Sequence, residues 1–409
     1  MQDTQEKNKL VRWPYLLIGV ISMLFSGIIY AWSIIKAPLE TEFGWTPSQL
    51  ALNFTLTMCF FCIGGIISGI LTKNTSPKVT VVISAILVFS GFTVASFMSG
   101  ISIFTLYVSY GVICGLGIGM AYNAIISATN VWFPDKKGTA SGAMMMGFGA
   151  STLVLGNIAA LLIKSESIGW RTTYLIFGIT IGLILLIASF IIKYPSKDIS
   201  FPGIKNNKTA ENSTFMTRDY TTIQMLRRFS FWKFFMYSIT LAAVGSTVIS
   251  FARDLALSIG ATDALATTLV GVLSVFNGLG RIFSGILFDK KGCRFTMTTA
   301  NTITIAASAV ILTAVLTNSI ILGIAGLCLA GISYGSSPTI NSAFTSLFYG
   351  SKNFSTNFSV VNTILIPASF TATIAGSLVT STGSYAAPFI LLIALSVISL
   401  FLNLSIRQP

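Results

Sequence analysis

Histidine is absent from the 409 residues, and acidic side chains are few, 12 against 25 basic ones. The first absence removes the side chain that most often changes charge near neutral pH and most often holds a metal. The second leaves little for carboxylate chemistry. Asp3, Glu6, Glu40, Glu42, Asp135, Glu166, Asp198, Glu211, Asp219, Asp254, Asp263 and Asp289 all fall in loops or at helix ends on the hydropathy pattern. A membrane-embedded enzyme needs a nucleophile–base pair or metal ligands within its apolar segments. None is evident, so no catalytic residue, metal or cofactor is expected. The five cysteines make no disulfide framework, and Cys59 and Cys62 form a C-x-x-C inside an apolar run without a partner pair, which reads as packing.

Charge as a whole is scarce. Only 9% of residues are charged, 53% are hydrophobic, and mean hydropathy is +0.81. A soluble domain of this size is excluded. Apolar runs of roughly 20 residues, the length needed to cross a hydrocarbon core, recur along the chain. Twelve helices are predicted: Trp13–Ile35, Leu50–Leu71, Val79–Met98, Ile103–Trp132, Thr139–Ile163, Tyr174–Ile192, Phe234–Phe251, Ala264–Phe288, Phe295–Leu316, Ile320–Phe348, Phe358–Val379 and Phe389–Leu404. The fold class is therefore an all-α membrane protein with the lipid bilayer as its solvent. The first apolar segment is too long for a cleavable signal and lacks a small-residue cleavage site. A polar stretch, Pro195–Ser230, rich in Lys, Asn, Thr and Ser, separates six helices from six. This predicts an N-terminal half over 1–194, a cytoplasmic inter-domain loop over 195–230 and a C-terminal half over 231–409.

A net charge of +13 on a soluble chain would point to nucleic acid. Here the charge lies in short loops and follows the positive-inside rule, so no nucleic-acid partner is expected. With both termini cytoplasmic, only Lys36, Lys164, Arg171 and Arg253 fall outside, and Arg281 alone falls within a span. An intramembrane arginine costs a few kcal/mol or more on insertion scales. Its guanidinium matches a carboxylate through paired hydrogen bonds, and the expected partner is a small anion.

The halves echo each other. Gly69-Ile-Leu follows helix 2, and Gly285-Ile-Leu follows helix 8 within "GILFDKKGCR". The second copy resembles the G-x-L-x-D-x-x-G-x-R/K loop motif of the major facilitator superfamily. Asp289 would cap a neighbouring helix end and Gly292 would make the tight turn. The first copy, "GILTKNTSPK", departs from the motif: Lys73 stands at the acid and Ser76 at the second glycine. The stretch "VWFPDKKGTASG", Val131–Gly142, resembles the monocarboxylate-porter signature and, more closely, that of the bacterial oxalate/formate antiporter family. This resemblance covers nearly the whole chain. It implies two six-helix halves, a substrate site at the midplane between them, a bacterial plasma membrane and a chain working as a monomer.

Carried over residue by residue, the resemblance assigns Tyr30 in "YAW", Tyr122 ten residues before Trp132, Arg281 after Phe276-Asn277-Gly278, and Tyr334 on helix 10, where Pro338 replaces a second aromatic. The family's helix 11 lysine falls on Leu365. Two cations suit a small dianion. One arginine facing an apolar wall suits a monoanion, because a second carboxylate would be buried unpaired at a cost of several kcal/mol. The expected substrate is a monocarboxylate of the lactate, pyruvate or formate class, with oxalate:formate exchange and proton-coupled symport as alternatives. Eight residues separate Arg281 from Asp289, about 12 Å of helix, and ten separate Tyr122 from Trp132, about 15 Å, so both sit near mid-membrane. Asn277 shares the face of Arg281 at i−4. Asn341, Asn362 and Phe148 are further candidates, with interhelical hydrogen bonding or packing as the alternative reading. Trp32 fits either a cavity wall or an interface anchor. Gly115, Gly117 and Gly119 read as close helix packing, since a phosphate loop needs a preceding strand. An empty site would leave a cation without its anion, which favours exchange; Asp254 is the nearest candidate for a proton relay.

Overall fold

The computed structural model describes residues 2–45, 47–99, 102–195 and 219–406. Among them all regular structure is helical, and twelve helices are long and apolar enough to cross a membrane. They are α1 (Arg12–Ala31), α2 (Leu52–Asn74), α3 (Pro77–Ser96), α4 (Phe104–Asn130), α5 (Gly138–Lys164), α6 (Gly169–Ile191), α7 (Phe229–Ile249), α8 (Thr268–Lys291), α9 (Cys293–Thr317), α10 (Ile320–Tyr349), α11 (Phe354–Val379) and α12 (Ala386–Leu404). Every predicted span has its counterpart. In hydrocarbon an unsatisfied peptide group costs several kcal/mol, so an apolar run closes its hydrogen bonds within itself as a helix.

The surface is inverted relative to a water-soluble protein. Leu17, Phe104, Leu161, Phe190, Ile321 and Phe401 are exposed, whereas Ser68, Ser84, Asn123, Thr304, Asn301 and Asn341 are buried. Exposed apolar faces of this extent suit lipid. The buried hydroxyls and amides join helices: Ser84 donates to the carbonyl of Gly117 at 2.6 Å, Ser68 to that of Met120 at 3.0 Å, and Asn301 to that of Ser396 at 3.0 Å.

Two compact units make up the chain. The first is Met1–Met225 with Phe344–Val360, and the second is Leu226–Ala343 with Val361–Pro409. The end of α10 and the start of α11 thus cluster with the first unit. Residues 196–218 of the expected linker lie outside the described residues. Its last part is ordered by specific contacts: Thr222–Leu226 forms a short helix, the Tyr220 N–H donates to the Tyr349 carbonyl, and Asn353 and Asn357 both donate to the Tyr220 carbonyl.

In the first unit, Arg12 and Asp135 form an ion pair at 2.6 Å, with the guanidinium over the Phe133 ring. Tyr15 stacks on Trp132 at 4.0 Å, and the Trp132 indole donates to the Lys193 carbonyl. The "WFPD" stretch therefore ties the start of α1 and the end of α6 to the α4–α5 turn. In the second unit, a core of Val244, Leu269, Leu273, Ile311, Leu327 and Phe389 joins α7, α8, α9, α10 and α12. Gly292 turns between α8 and α9 at φ 80°, a left-handed conformation that glycine adopts without strain.

Two spans depart from plain α-helix near candidate residues. Tyr30 sits in a 3₁₀ stretch, Gly27–Ala31. The segment α11 was expected to be one helix but is two, Phe354–Asn362 and Leu365–Thr382. Pro367 has no N–H to give to the Thr363 carbonyl. That carbonyl instead accepts from Ile366 at 3.0 Å, in a tight turn that breaks the span at Thr363–Ile364.

Candidate functional site

In the first unit the candidate aromatics form one cluster. Tyr30 meets Phe148 edge-on at 5.3 Å between centroids, and Phe148 meets Tyr122 at 5.1 Å. Phe61 completes the group, 5.2 Å from Tyr122 and 6.1 Å from Phe148. Phe358 stacks on Tyr122 from the other side at 6.2 Å. Tyr122, Phe148, Phe61 and Phe358 are buried, while Tyr30 is half-buried. Edge-to-face rings at these separations hold one another's orientation. Close helix crossings set the cluster: a Cβ on Gly119 would lie 2.0 Å from the Phe61 carbonyl oxygen, and one on Gly27 2.1 Å from that of Phe148. The glycine-rich run of α4 is thus a contact face, and only glycine admits α2 so near. Phe61 and Phe358 were absent from the sequence-based candidates.

Trp32 belongs to a different group. Its indole donates to the Leu50 carbonyl at 3.1 Å and its ring lies 4.8 Å from Tyr110, so it is a buried packing residue rather than an interface anchor.

In the second unit Arg281 is 1% exposed, among the largest fully buried side chains. Its Nε donates to Asn277 Oδ1 at 3.2 Å, one helical turn away. The Arg281 carbonyl accepts from Ser284 Oγ at 3.2 Å and from Thr339 Oγ1 of α10 at 3.3 Å. The two helices touch backbone to backbone here: a Cβ on Gly335 would fall 2.0 Å from the Asn277 carbonyl oxygen, and one on Gly280 2.4 Å from that of Ile332. Arg281 is therefore placed by a rigid α8–α10 contact, and Asn277 fixes the rotation of its guanidinium.

Tyr334 and Leu365 meet in one apolar cluster with Ala242, Ile364 and Ala368, flanked by Phe235 and Ile239. Tyr334 lies flat on Gly245, where an added Cβ would come within 2.0 Å of the ring. Leu365 opens the second helix of α11, two residues before Pro367. Asn341 accepts from Ser238 Oγ at 2.8 Å, joining α10 to α7. Asn362 is buried at the end of the first helix of α11.

Arg12 lies on a carboxylate, whereas the Nε of Arg281 lies on a neutral amide. Asp254 is exposed, beyond the end of α7 on the same continuous helix; burial, with a smaller contribution from Asp254, pushes the Tyr385 hydroxyl pKa up. At the opposite end of the first unit from Arg12, hydrogen bonds from Arg171 and Trp170 hold the Glu42 carboxyl below the usual carboxylate range.

Comparisons with known proteins agree on the architecture. The sequence profile of the Major Facilitator Superfamily matches residues 15–366. The transporter YhjX of Escherichia coli, described as an uncharacterized MFS-type transporter, is 27% identical across 88% of this chain and 86% of its own. The oxalate:formate antiporter of Oxalobacter formigenes is 25% identical across 84% and 80%. Monocarboxylate transporter 12 of Mus musculus is 24% identical across 93% and 82%. Among solved structures, a proton:xylose symporter, XylE, superposes with a TM-score of 0.77 at 15% identity, covering 98% of this chain and 97% of that one, a likeness of fold.

Proposed function

We propose that this chain, which belongs to the Major Facilitator Superfamily of membrane transporters, carries small organic anions and anchors their carboxylate on Arg281. The observation that carries the reading is a fully buried arginine in a membrane span whose Nε is held by a neutral amide. Burying a guanidinium in hydrocarbon costs several kcal/mol. A carboxylate that matches its planar fork of donors offsets that cost when bound.

Two features support a monocarboxylate. Leu365 and Tyr334 share an apolar cluster in the second unit, which suits a short organic tail, and Leu365 itself carries no charge. Tyr30, Tyr122, Phe148 and Phe61 supply aromatic faces and two hydroxyls in the first unit. The relative named for monocarboxylates favours the same substrate class, and the one named for oxalate and formate favours small carboxylates in general. The distribution of lysine and arginine among the loops favours cytoplasmic termini, and the polar run at 195–230 favours halves of 1–194 and 231–409. Transport then follows by alternating access, the superfamily's general scheme.

A competition panel in proteoliposomes tests the substrate class, with formate, acetate, lactate, pyruvate, oxalate and succinate as inhibitors of uptake of a labelled monocarboxylate. Monocarboxylates are expected to compete best. Oxalate as the tightest competitor would transfer the assignment to dicarboxylate exchange, which the Oxalobacter relative also favours.

A further inference from the structure

Two lysines of the first unit share a cavity, whereas Arg281 belongs to the second unit. At the end that carries the Arg12–Asp135 pair, a cavity of about 390 Å³ opens among the ends of α2 and α4 and the turn before α11. Its lining residues all belong to that unit. Lys73 and Lys352 supply two cations, Asn130 and Asn353 two amides, and Ser351 and Thr356 two hydroxyls. No carboxylate is among its described lining residues. Two acids among the described residues border the cavity, and each already holds a bonded partner. Asp219 accepts from the Lys352 backbone N–H at 3.0 Å, and Asp135, next to the lining residue Pro134, holds Arg12.

The lysine is held in place. Lys73 Nζ donates to Asn353 Oδ1 at 3.3 Å, and Asn353 Nδ2 in turn donates to the Tyr220 carbonyl at 3.1 Å. That contact sets the ammonium beside the first turn of the helix Phe354–Asn362, whose N-terminus adds partial positive charge. Lys73 is also the residue that replaces the acid in the first copy of the "GIL" loop motif, so this chain carries a cation at a position where an anion would repel a negative ligand.

We propose that this cavity binds a phosphate group, either as free inorganic phosphate or phosphate monoester, or as the headgroup of an anionic phospholipid. Two ammonium groups match the near-dianionic charge of free phosphate or a phosphate monoester, phosphatidic acid included, at neutral pH, and the Ser351 hydroxyl and Asn130 amide are donors for its remaining oxygens. The volume admits phosphate with a small organic substituent. This site does not depend on the role of Arg281.

The test uses the full chain in detergent, with sodium phosphate replacing chloride at constant ionic strength and thermal unfolding as the readout. A saturable phosphate-dependent stabilisation is expected in the wild type and in R281Q. In K73Q/K352Q the apparent affinity should fall by about tenfold or more, the loss of at least one charge-assisted contact. K73R/K352R keeps both charges and should retain binding, which guards against a double variant that merely unfolds. Competition with short-chain phosphatidic acid separates the sources: a lipid that outcompetes free phosphate identifies a headgroup site, and one that does not identifies a soluble ligand. A response to neither compound overturns the proposal. So does a phosphate response that survives in K73Q/K352Q or disappears in R281Q.

Discussion

Asn277→Asp tests the geometry around Arg281 without changing the shape of the site. The Asn277 oxygen lies 3.2 Å from Arg281 Nε, and the pair is buried. Replacing the amide by a carboxylate puts an anion at hydrogen-bond distance from the guanidinium that a substrate is proposed to use. A hydrogen bond to a charged group contributes about 1.5–3 kcal/mol. Two unit charges about 4 Å apart interact by about 4 kcal/mol at an effective dielectric constant of 20. Neutralising the arginine from within should therefore weaken carboxylate binding by about tenfold to about a thousandfold. The fold should persist, because a buried Asp–Arg contact replaces an Asn–Arg contact of equal size. The assay is substrate-dependent thermal stabilisation of purified protein, paired with uptake in proteoliposomes. A variant that melts like the wild type and binds the carboxylate with undiminished affinity would refute the reasoning, since the substrate would then not be using this guanidinium.

Leu365→Lys restores a second cation in the cluster that holds Tyr334. It should shift the preference between oxalate and a monocarboxylate toward oxalate by about tenfold or more, the size of one charge-assisted contact. An unchanged ratio in a folded variant would place Leu365 away from the substrate. Asp135→Asn leaves Arg12, which is 5% exposed, without its carboxylate. Stability should drop by about 1–2 kcal/mol, between the ranges for exposed and buried pairs because Asp135 is itself exposed, seen as a lowered melting midpoint in detergent with carboxylate binding intact. An unchanged midpoint would make the pair incidental.

Much of this architecture was legible in the sequence because a bilayer imposes a length and a hydrogen-bonding rule on every span. The Arg281–Asn277 contact was legible for a local reason, since residues four apart share a helix face. Other features depend on contacts between distant segments. Phe60 and Phe61 are adjacent and point to different sides of α2, and the helix crossing decides which one reaches Tyr122. The glycines held a usable signal: Gly64 lies three residues after Phe61, on the same face, and packs on the Leu116 carbonyl. The break in α11 was written in Pro367, since proline is favoured in a helix's first turn, but hydropathy alone ran straight through it. The Arg12–Asp135 pair spans 123 residues and left no local trace. For Trp32 the sequence left a lipid-interface role open, because aromatic type and depth do not reveal the buried Leu50 carbonyl that receives its N–H.

The most direct test of the central claim is carboxylate binding to Arg281→Gln, measured as protection against thermal unfolding by a monocarboxylate. Glutamine keeps a polar group within reach of Asn277 but removes the charge and the forked donors. A folded protein with no saturable carboxylate protection is expected. Protection at wild-type concentrations would contradict it and would move the anchor of the substrate to another residue.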